Sequence, residues 1–335
     1  MADVAREAGV SASTVSRVFS VPEAVRADTR ERVLAVAKRL DFSPNRAASS
    51  LARGRTRTLG LLVPDVVNPY YAEIVKTVQH RARAKDHALF LADTGDDPAD
   101  GFELARAMAR QTDGLLLAGP RMTDDMLREL ARTGPVALIG ARLPEADSAY
   151  AELATGMRHA VRHLAALGHT RIVYVNGTRT ARTVGHRRPM QEACDEHGVA
   201  LVEQLGPFDL TFDNGVAAAD LVPTSGATAV IAHNEMVAHG VACGLARQGW
   251  SVPADFSLVT VDDTFMARTI HPALTALHIP LDAMGARGVD LLLRRLADPD
   301  GEPQHLALPT SLVVRASTGR SVDHGHSRGQ TSGSA

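Results

Sequence analysis

Long apolar runs are missing from this chain of 335 residues. No stretch of about 18 apolar residues occurs, so no membrane-spanning helix and no membrane partner is expected. The N-terminus turns polar within a few residues and lacks an apolar signal core, so export is not expected and a cytoplasmic place is. Cysteine is nearly absent. Cys194 and Cys243 stand alone, without metal-ligand spacing, and read as reduced core thiols. There is no Gly-rich nucleotide turn, no Walker lysine motif and no Gly-x-Ser-x-Gly elbow. Nothing therefore points to a cofactor, a metal or a catalytic nucleophile. The 14 histidines are scattered. His169 follows Gly168 at a helix end and reads as structural. His324 and His326 lie in SVDHGHSRGQTSGSA, a polar Gly/Ser-rich tail read as disordered over 321–335. Aromatics are only 4% of the residues, few for a protein that would stack on sugars.

What is present is ordinary in bulk and uneven in layout. A 45% hydrophobic fraction with 22% charged residues fits a globular chain of two or three compact units. The net charge of −2 hides an asymmetry. Residues 1–58 hold eleven Arg/Lys against six Asp/Glu, a balance of +5, which leaves −7 on the rest. A small basic head on an acidic body fits a polyanionic partner.

The chain opens DVAREAGVSASTVSRVFS. Val4, Ala5 and Ala8 recur at helical spacing. Gly9 interrupts them and can take the positive φ of a tight turn. Ser11 can cap a second helix, whose Val15 and Val18 face inward. A small Ala5 lets the two helices cross closely. This is a helix-turn-helix pattern. The second helix presents Ser11, Ala12, Ser13, Thr14, Ser16 and Arg17, short groups and one arginine suited to a major groove. A third helix is expected over Thr29–Leu40, burying Val33, Leu34, Ala37 and Leu40, with Phe42 and Pro44 ending it. The stretch SPNRAASSLARGRTRT is basic and too weakly apolar to fold alone. It reads as a hinge that orders on DNA, or as a plain linker.

These motifs, with VRADTRERVLAVAKRLDFSPNRAASSLARGRTRTLGLLVPDVVNPYY and the later pieces LAALGHTRIVYVNG, VTVDD, PALTAL, MGARGVDLLL and LVVRAST, resemble the lactose-repressor (LacI/GalR) family of bacterial transcription regulators. The likeness spans residues 2–318. It implies an all-α helix-turn-helix head and an α/β, periplasmic-binding-protein-like body of two parallel-sheet subdomains. It implies a homodimer on a palindromic operator in double-stranded DNA, with each second helix in a major groove. Hinge contacts then fall to Asn45, Arg46, Ser49, Leu51 and Ala52. Leu51 would wedge into the central base step, and such a wedge trades unstacking for contact area. Arg17 would read guanine or hold phosphate. The departures are local. Ala12 and Ser13 stand where longer base-reading side chains are usual, and Arg26 where a serine usually caps the third helix. The chain starts close to DVA, which implies an upstream native start or a frayed first helix.

From Thr58 the texture changes. LGLLVP, ALFLAD, GLLLAG, VALIG, RIVYVN, AVIAHN and FSLVTVDD alternate with amphipathic helices. This predicts two parallel sheets covered on both faces. The expected layout is a head over 1–41, a hinge over 42–57 and a body over 58–320. The body divides into about 58–148 plus 280–306 and about 149–279 plus 307–320. Ligands bind beyond the carboxyl ends of such strands. Those ends offer Asp65, Asn68, Tyr70, Tyr71, Asp93, Arg142, Asn234, Glu235, Asp262 and Asp263, and a loop with Arg182, His186, Arg187 and Arg188. Asn68, Tyr70, Tyr71, Arg142, His186, Arg187, Asn234 and Asp262 are the candidate effector contacts. The resemblance points to Asn234, Asp262 and one of His186 and Arg187, for a sugar or sugar derivative. Here too there are departures: His186-Arg187-Arg188-Pro189 replaces Arg-x-x-Gly, Leu210 an aromatic, Gly140 an Asp, and Glu152-Leu153 an Asp-Asn pair. The extra arginines favour an anionic ligand, a sugar phosphate or acid. Two rival readings stay open: a sugar-binding protein, or an α/β enzyme using an Asp262/Asp263 pair, neither with a DNA role.

Overall fold

The computed structural model describes residues 1–20, 22–42, 56–95, 97–177 and 184–322. Two compact units divide the chain, Met1–Arg57 and Thr58–Ala335. In the first, α1 (Ala2–Ala8) ends at Gly9 with a left-handed φ of 64°, the conformation glycine adopts without strain. α2 (Ala12–Ser20) is capped by Ser11, whose Oγ accepts from the Thr14 N–H at 3.1 Å. A 3₁₀ turn (Pro22–Ala24) leads to α3 (Ala27–Arg39). The helices close on Val4, Ala5, Ala8, Val15, Val18, Val33, Val36 and Ala37, all small, so the axes approach closely. Arg32 Nε donates to the Ala8 carbonyl at 3.0 Å and ties α3 to α1. Two of the residues expected to be buried by the third helix are exposed: Leu34 at 43% and Leu40 at 37%. Val36 takes their place. A core of valines and alanines is narrow, so it covers one stripe of α3 (Val33, Val36, Ala37) and leaves the flanking leucines in solvent.

The body begins with β1 (Thr58–Val63), α4 (Pro69–Ala84), β2 (Ala88–Asp93), α5 (Pro98–Ala109), β3 (Gly114–Ala118), α6 (Asp124–Thr133), β4 (Val136–Ile139) and β5 (Asp147–Glu152). It continues with α7 (Leu153–Ala166), β6 (Arg171–Gly177), α8 (Val184–His197), β7 (Ala200–Phe208), α9 (Phe212–Ala219), β8 (Ala229–Ala232), α10 (Glu235–Arg247), β9 (Ser257–Val261), α11 (Met266–Thr269) and β10 (Thr275–His278). The chain closes with α12 (Leu281–Ala297), β11 (His305–Pro309) and β12 (Ser311–Val313).

Two six-stranded sheets result, in the orders β11-β5-β4-β3-β1-β2 and β12-β10-β9-β8-β6-β7. Every pairing is parallel except β10 with β12. The central strands β1, β3, β4, β8 and β9 are buried along their whole length, as continuous apolar runs under helices on both faces require. β2 has the same apolar look but lies at a sheet edge, with Phe90 and Leu91 exposed. The chain passes between sheets three times: at Glu152/Leu153, between His278 and Leu281, and at Thr310. The first passage follows β5 rather than preceding it, because Asp147–Ala149 pair with β4 and stay in the first sheet. Asp147 is fully buried there and accepts from Arg294 at 2.5 Å, from Arg295 at 2.9 Å and from the Gln304 N–H at 2.7 Å.

Candidate functional site

The head presents one polar face. Ser11, Ala12, Ser13, Ser16 and Arg17 are exposed, Thr14 is half-buried, and Val15 and Val18 turn inward. Ser11 Oγ lies 2.7 Å from Ser13 Oγ and 2.8 Å from Thr14 Oγ1. These hydroxyls crowd the N-terminus of α2, where exposed N–H groups and the helix dipole favour a phosphate. Arg17 projects one and a half turns further on. Arg26 stands at the N-cap of α3 without a side-chain cap bond, as its replacement of a capping serine implies. Asn45, Arg46, Ser49, Leu51 and Ala52 lie outside the described residues.

In the body a cavity of about 470 Å³ opens where the strands of both sheets end. Six of the eight candidate effector contacts line it: Asn68, Tyr70, Tyr71, Arg142, Asn234 and Asp262. Two do not. Arg187 is exposed on α8, and it is Pro189 that meets the cavity. Residues two apart on a helix point about 200° apart, so a helix that shows Pro189 to the cavity turns Arg187 away. The His186 side chain lies outside the described residues. Arg188 pairs with Glu192 at 2.7 Å. Neither Arg187 nor Arg188 is thus a described wall of the cavity, and Arg182 lies outside the described residues.

Most polar groups of the lining are already engaged. Asn68 caps α4, its Oδ1 accepting from the Tyr70 N–H at 3.1 Å. Asn234 caps α10, accepting from the Val237 N–H at 2.9 Å and donating to the Leu210 carbonyl at 3.3 Å. Glu152 caps α7, accepting from the N–H groups of Ala154 at 2.8 Å and Thr155 at 3.2 Å. Burial pushes that carboxyl up, but its bonds to Thr155 and Ala154 outweigh the push and hold it below the usual range. His233 Nδ1 lies 2.9 Å from Tyr174 Oη.

Asp262 is different. It is 8% exposed and has a left-handed φ of 74°, unusual for a residue with a Cβ. Among the described residues nothing donates a hydrogen bond to its carboxylate. Burial, then the charges of Glu235 and Glu73, raise it well above the ordinary carboxyl range. Glu235 itself is clamped by the Thr264 hydroxyl, by the Thr264 N–H at 2.7 Å and by the Ala267 N–H at 3.2 Å. Asp263 turns away to Arg315 at 2.6 Å, so it forms no carboxylate pair with Asp262. Asp65 and Asp93 are also occupied, accepting from the N–H groups of Val67, Val66 and Gly95 at 2.8 Å each.

Arg121, Tyr150 and His233 line the cavity as well and were not foreseen. His233 carried a signal, since it ends the strand AVIAHN. Tyr150 carried none, because its strand alternates polar and apolar residues at the presumed domain break. The glycines at two strand ends make room. A Cβ on Gly119 would lie 2.5 Å from the Tyr71 hydroxyl, and one on Gly140 would lie 3.1 Å from the Tyr70 hydroxyl. At Gly140, where the resemblance implies an Asp, the Tyr70 hydroxyl thus stands close to the space a side chain would enter. Among the described residues no cluster of His, Cys, Asp and Glu could hold a metal ion, and no helix is long and apolar enough to cross a membrane.

Comparison with known proteins covers both units. Residues 1–45 match the family described as bacterial regulatory proteins, lacI family, and residues 161–318 match the periplasmic binding protein-like domain. Catabolite control protein A of Streptococcus mutans is 30% identical over 326 residues, spanning 94% of this chain and 97% of that protein. The ribose operon repressor of Haemophilus influenzae is 31% identical over 326 residues, spanning 95% and 98%. A crystal structure of the lac repressor dimer bound to operator and the anti-inducer ONPF has a TM-score of 0.83 at 26% identity, over 95% of this chain and 98% of that one.

Proposed function

Because the chain belongs to the lacI family of bacterial regulatory proteins, we propose that it is a transcriptional repressor that grips a palindromic operator as a homodimer, its affinity set by a small polar effector in the body cavity. The observation that carries this reading is the presence, in one chain, of a helix-turn-helix with an open polar face and a cavity ending on the unpartnered Asp262.

In this reading α2 lies in the major groove. Its hydroxyls at the N-terminal turn hold backbone phosphates, and Arg17 reaches a base edge or a further phosphate. Ala12 offers only a methyl, which suits thymine. Asn45, Arg46, Ser49, Leu51 and Ala52 continue into the minor groove, with Leu51 as the wedge. One head binds weakly. Two heads joined through their bodies bind tightly by effective concentration. The effector meets Asp262 from the second sheet and Tyr70, Tyr71 and Arg142 from the first, so its binding energy differs between open and closed bodies. Such coupling amounts to about 1–3 kcal/mol, or roughly 5- to 150-fold in operator affinity. The protein works in the cytoplasm as a regulator rather than an enzyme. What supports this is the family of regulators to which the chain belongs.

Selection of bound sites from random double-stranded DNA with the full-length protein tests the reading. Enrichment of a palindrome whose occupancy changes with a bound small molecule is expected. Recovery of no common sequence would refute it.

A further inference from the structure

We propose that the molecule read by this cavity carries an organic ammonium group, seated between the Asp262 carboxylate and the tyrosine rings. The inference rests on the effector-controlled reading above and names the chemistry of the effector. Four observations carry it.

The first is where the aromatics went. The chain has only four tyrosines. Tyr70, Tyr71 and Tyr150 line the cavity, and Tyr174 stands behind it, bonded to His233 at 2.9 Å. Tyr70 and Tyr71 meet edge to face at 5.0 Å. Rings gathered round a carboxylate are how proteins hold ammonium cations.

The second is the state of Asp262. It is buried, pinned in a left-handed backbone and left without a hydrogen-bond donor among the described residues. A buried carboxylate is costly unless paired.

The third is the sign of its surroundings. The groups acting on Asp262 are Glu235 from α10 and Glu73 from α4, both acidic. Tyr70 on α4 and Tyr174 on β6 feel its charge in turn, and burial keeps both phenols neutral. Arg315 is spent on the neighbouring Asp263, which also faces His278 at 3.7 Å. A sugar hydroxyl could donate one bond to Asp262, yet it brings no charge to ionise that carboxyl against burial, Glu235 and Glu73; of these acids, Arg268, Lys76 and His278 act on Glu73 alone. An ammonium group answers both needs.

The fourth is what remains elsewhere in the lining. Asn234 and Glu152 are engaged at both polar atoms. Arg142 lies in the lining and suits hydroxyls or a carboxylate at the other end of the same ligand.

The full-length protein is titrated by calorimetry at pH 7 with glucosamine, choline, glucose and gluconate, each in two buffers of different ionisation heat. Glucosamine or choline should bind at least about tenfold tighter than glucose and gluconate. Cation binding draws the proton from Asp262, so the heat should depend on buffer in the sense of proton release. Asp262→Asn should lose that release and the preference for amines. Tyr70→Phe should keep the affinity and Tyr70→Leu should lose roughly threefold to thirtyfold, the range of a cation–ring contact. Circular dichroism of each variant separates these effects from misfolding. Tighter binding of glucose or gluconate, or amine binding without proton release, overturns the inference while leaving an effector-controlled repressor intact. Binding of none of the four overturns it too, and a retained shift of selected operator DNA then shows that the DNA-binding reading survives.

Discussion

Val15→Ala should disable DNA binding without touching DNA. Val15 is fully buried in the head core. The substitution removes two methyl groups, worth about 1.6 kcal/mol in transfer at ~0.8 kcal/mol per carbon. The hole, roughly 50 Å³, adds about 1 kcal/mol because a core of alanines and valines has little with which to refill it. The better helix propensity of alanine offsets about 0.5 kcal/mol. The net loss is about 2 kcal/mol, roughly thirtyfold in the folding equilibrium. A helical head of this size holds only about 2–6 kcal/mol in all, so the variant head would be close to half unfolded at the lower bound. A dimer needs both heads folded, so the deficit counts twice. Hydrogen exchange on the full-length protein measures it. Protection of the α2 amides should fall about thirtyfold, that of β1 should not change, and Ser16→Ala should leave both alone. A fall of less than about threefold in α2, or a parallel fall in the body, would refute the reasoning.

Arg17→Ala should relax base preference within a half-site, as read by selection from random DNA; an unchanged preference makes Arg17 a phosphate contact. Leu51→Ala should weaken specific more than non-specific DNA binding in gel shifts, and equal loss of both removes the wedge. Gly140→Ala forces an alanine into φ 70° with its Cβ 3.1 Å from the Tyr70 hydroxyl. It should cost about 1 kcal/mol, lower the melting temperature by about 2–4 °C and weaken effector binding; an unchanged effector affinity would separate Tyr70 from the site. His169 is buried, its nitrogens lying 2.8 Å from Thr228 Oγ1 and 2.9 Å from Ser257 Oγ, and burial holds it below its ordinary 6.5. Below that value the unfolded chain takes up the proton that the folded chain refuses, so body stability falls as pH drops from about 6.5 and is flat above. His163 and His239 act in the same direction. His169→Gln should flatten the decline of the urea midpoint between pH 7 and pH 5; an unaltered slope assigns it to other groups.

The parts of the fold that were legible in the sequence are those set by one residue or by a run. Gly9 and Ser11 announce the turn and the cap because each does its work locally. Seven apolar runs announce seven strands. β5, β7, β10, β11 and β12 were not announced, being short, alternating or edge-placed, and so lacking the long apolar run of the other strands. Phe90 and Leu91 show the converse, since hydropathy does not say which strand ends at the rim. For the cavity, the strand-end rule found Asn68, Tyr70, Tyr71, Arg142, Asn234 and Asp262. It overlooked Tyr150 and Arg121, which arrive from a strand without apolar pattern and from a loop. Low aromatic content was misleading: an average over the chain does not show that its tyrosines share one place.

Three passages of chain join the two sheets, and they are laced together. Thr310 Oγ1 donates to the Glu152 carbonyl at 2.7 Å and accepts from the Gly156 N–H at 3.1 Å, and a Cβ on Gly156 would come within 2.5 Å of that same oxygen. Two bodies joined by one strap can slide, twist and bend. Joined by three straps, two of them buttoned to each other, they keep one soft coordinate, a rotation about the line through the straps. A ligand bridging the mouth then meets no search over many geometries. It sets a single angle, and any lever fixed to one half reports that angle directly.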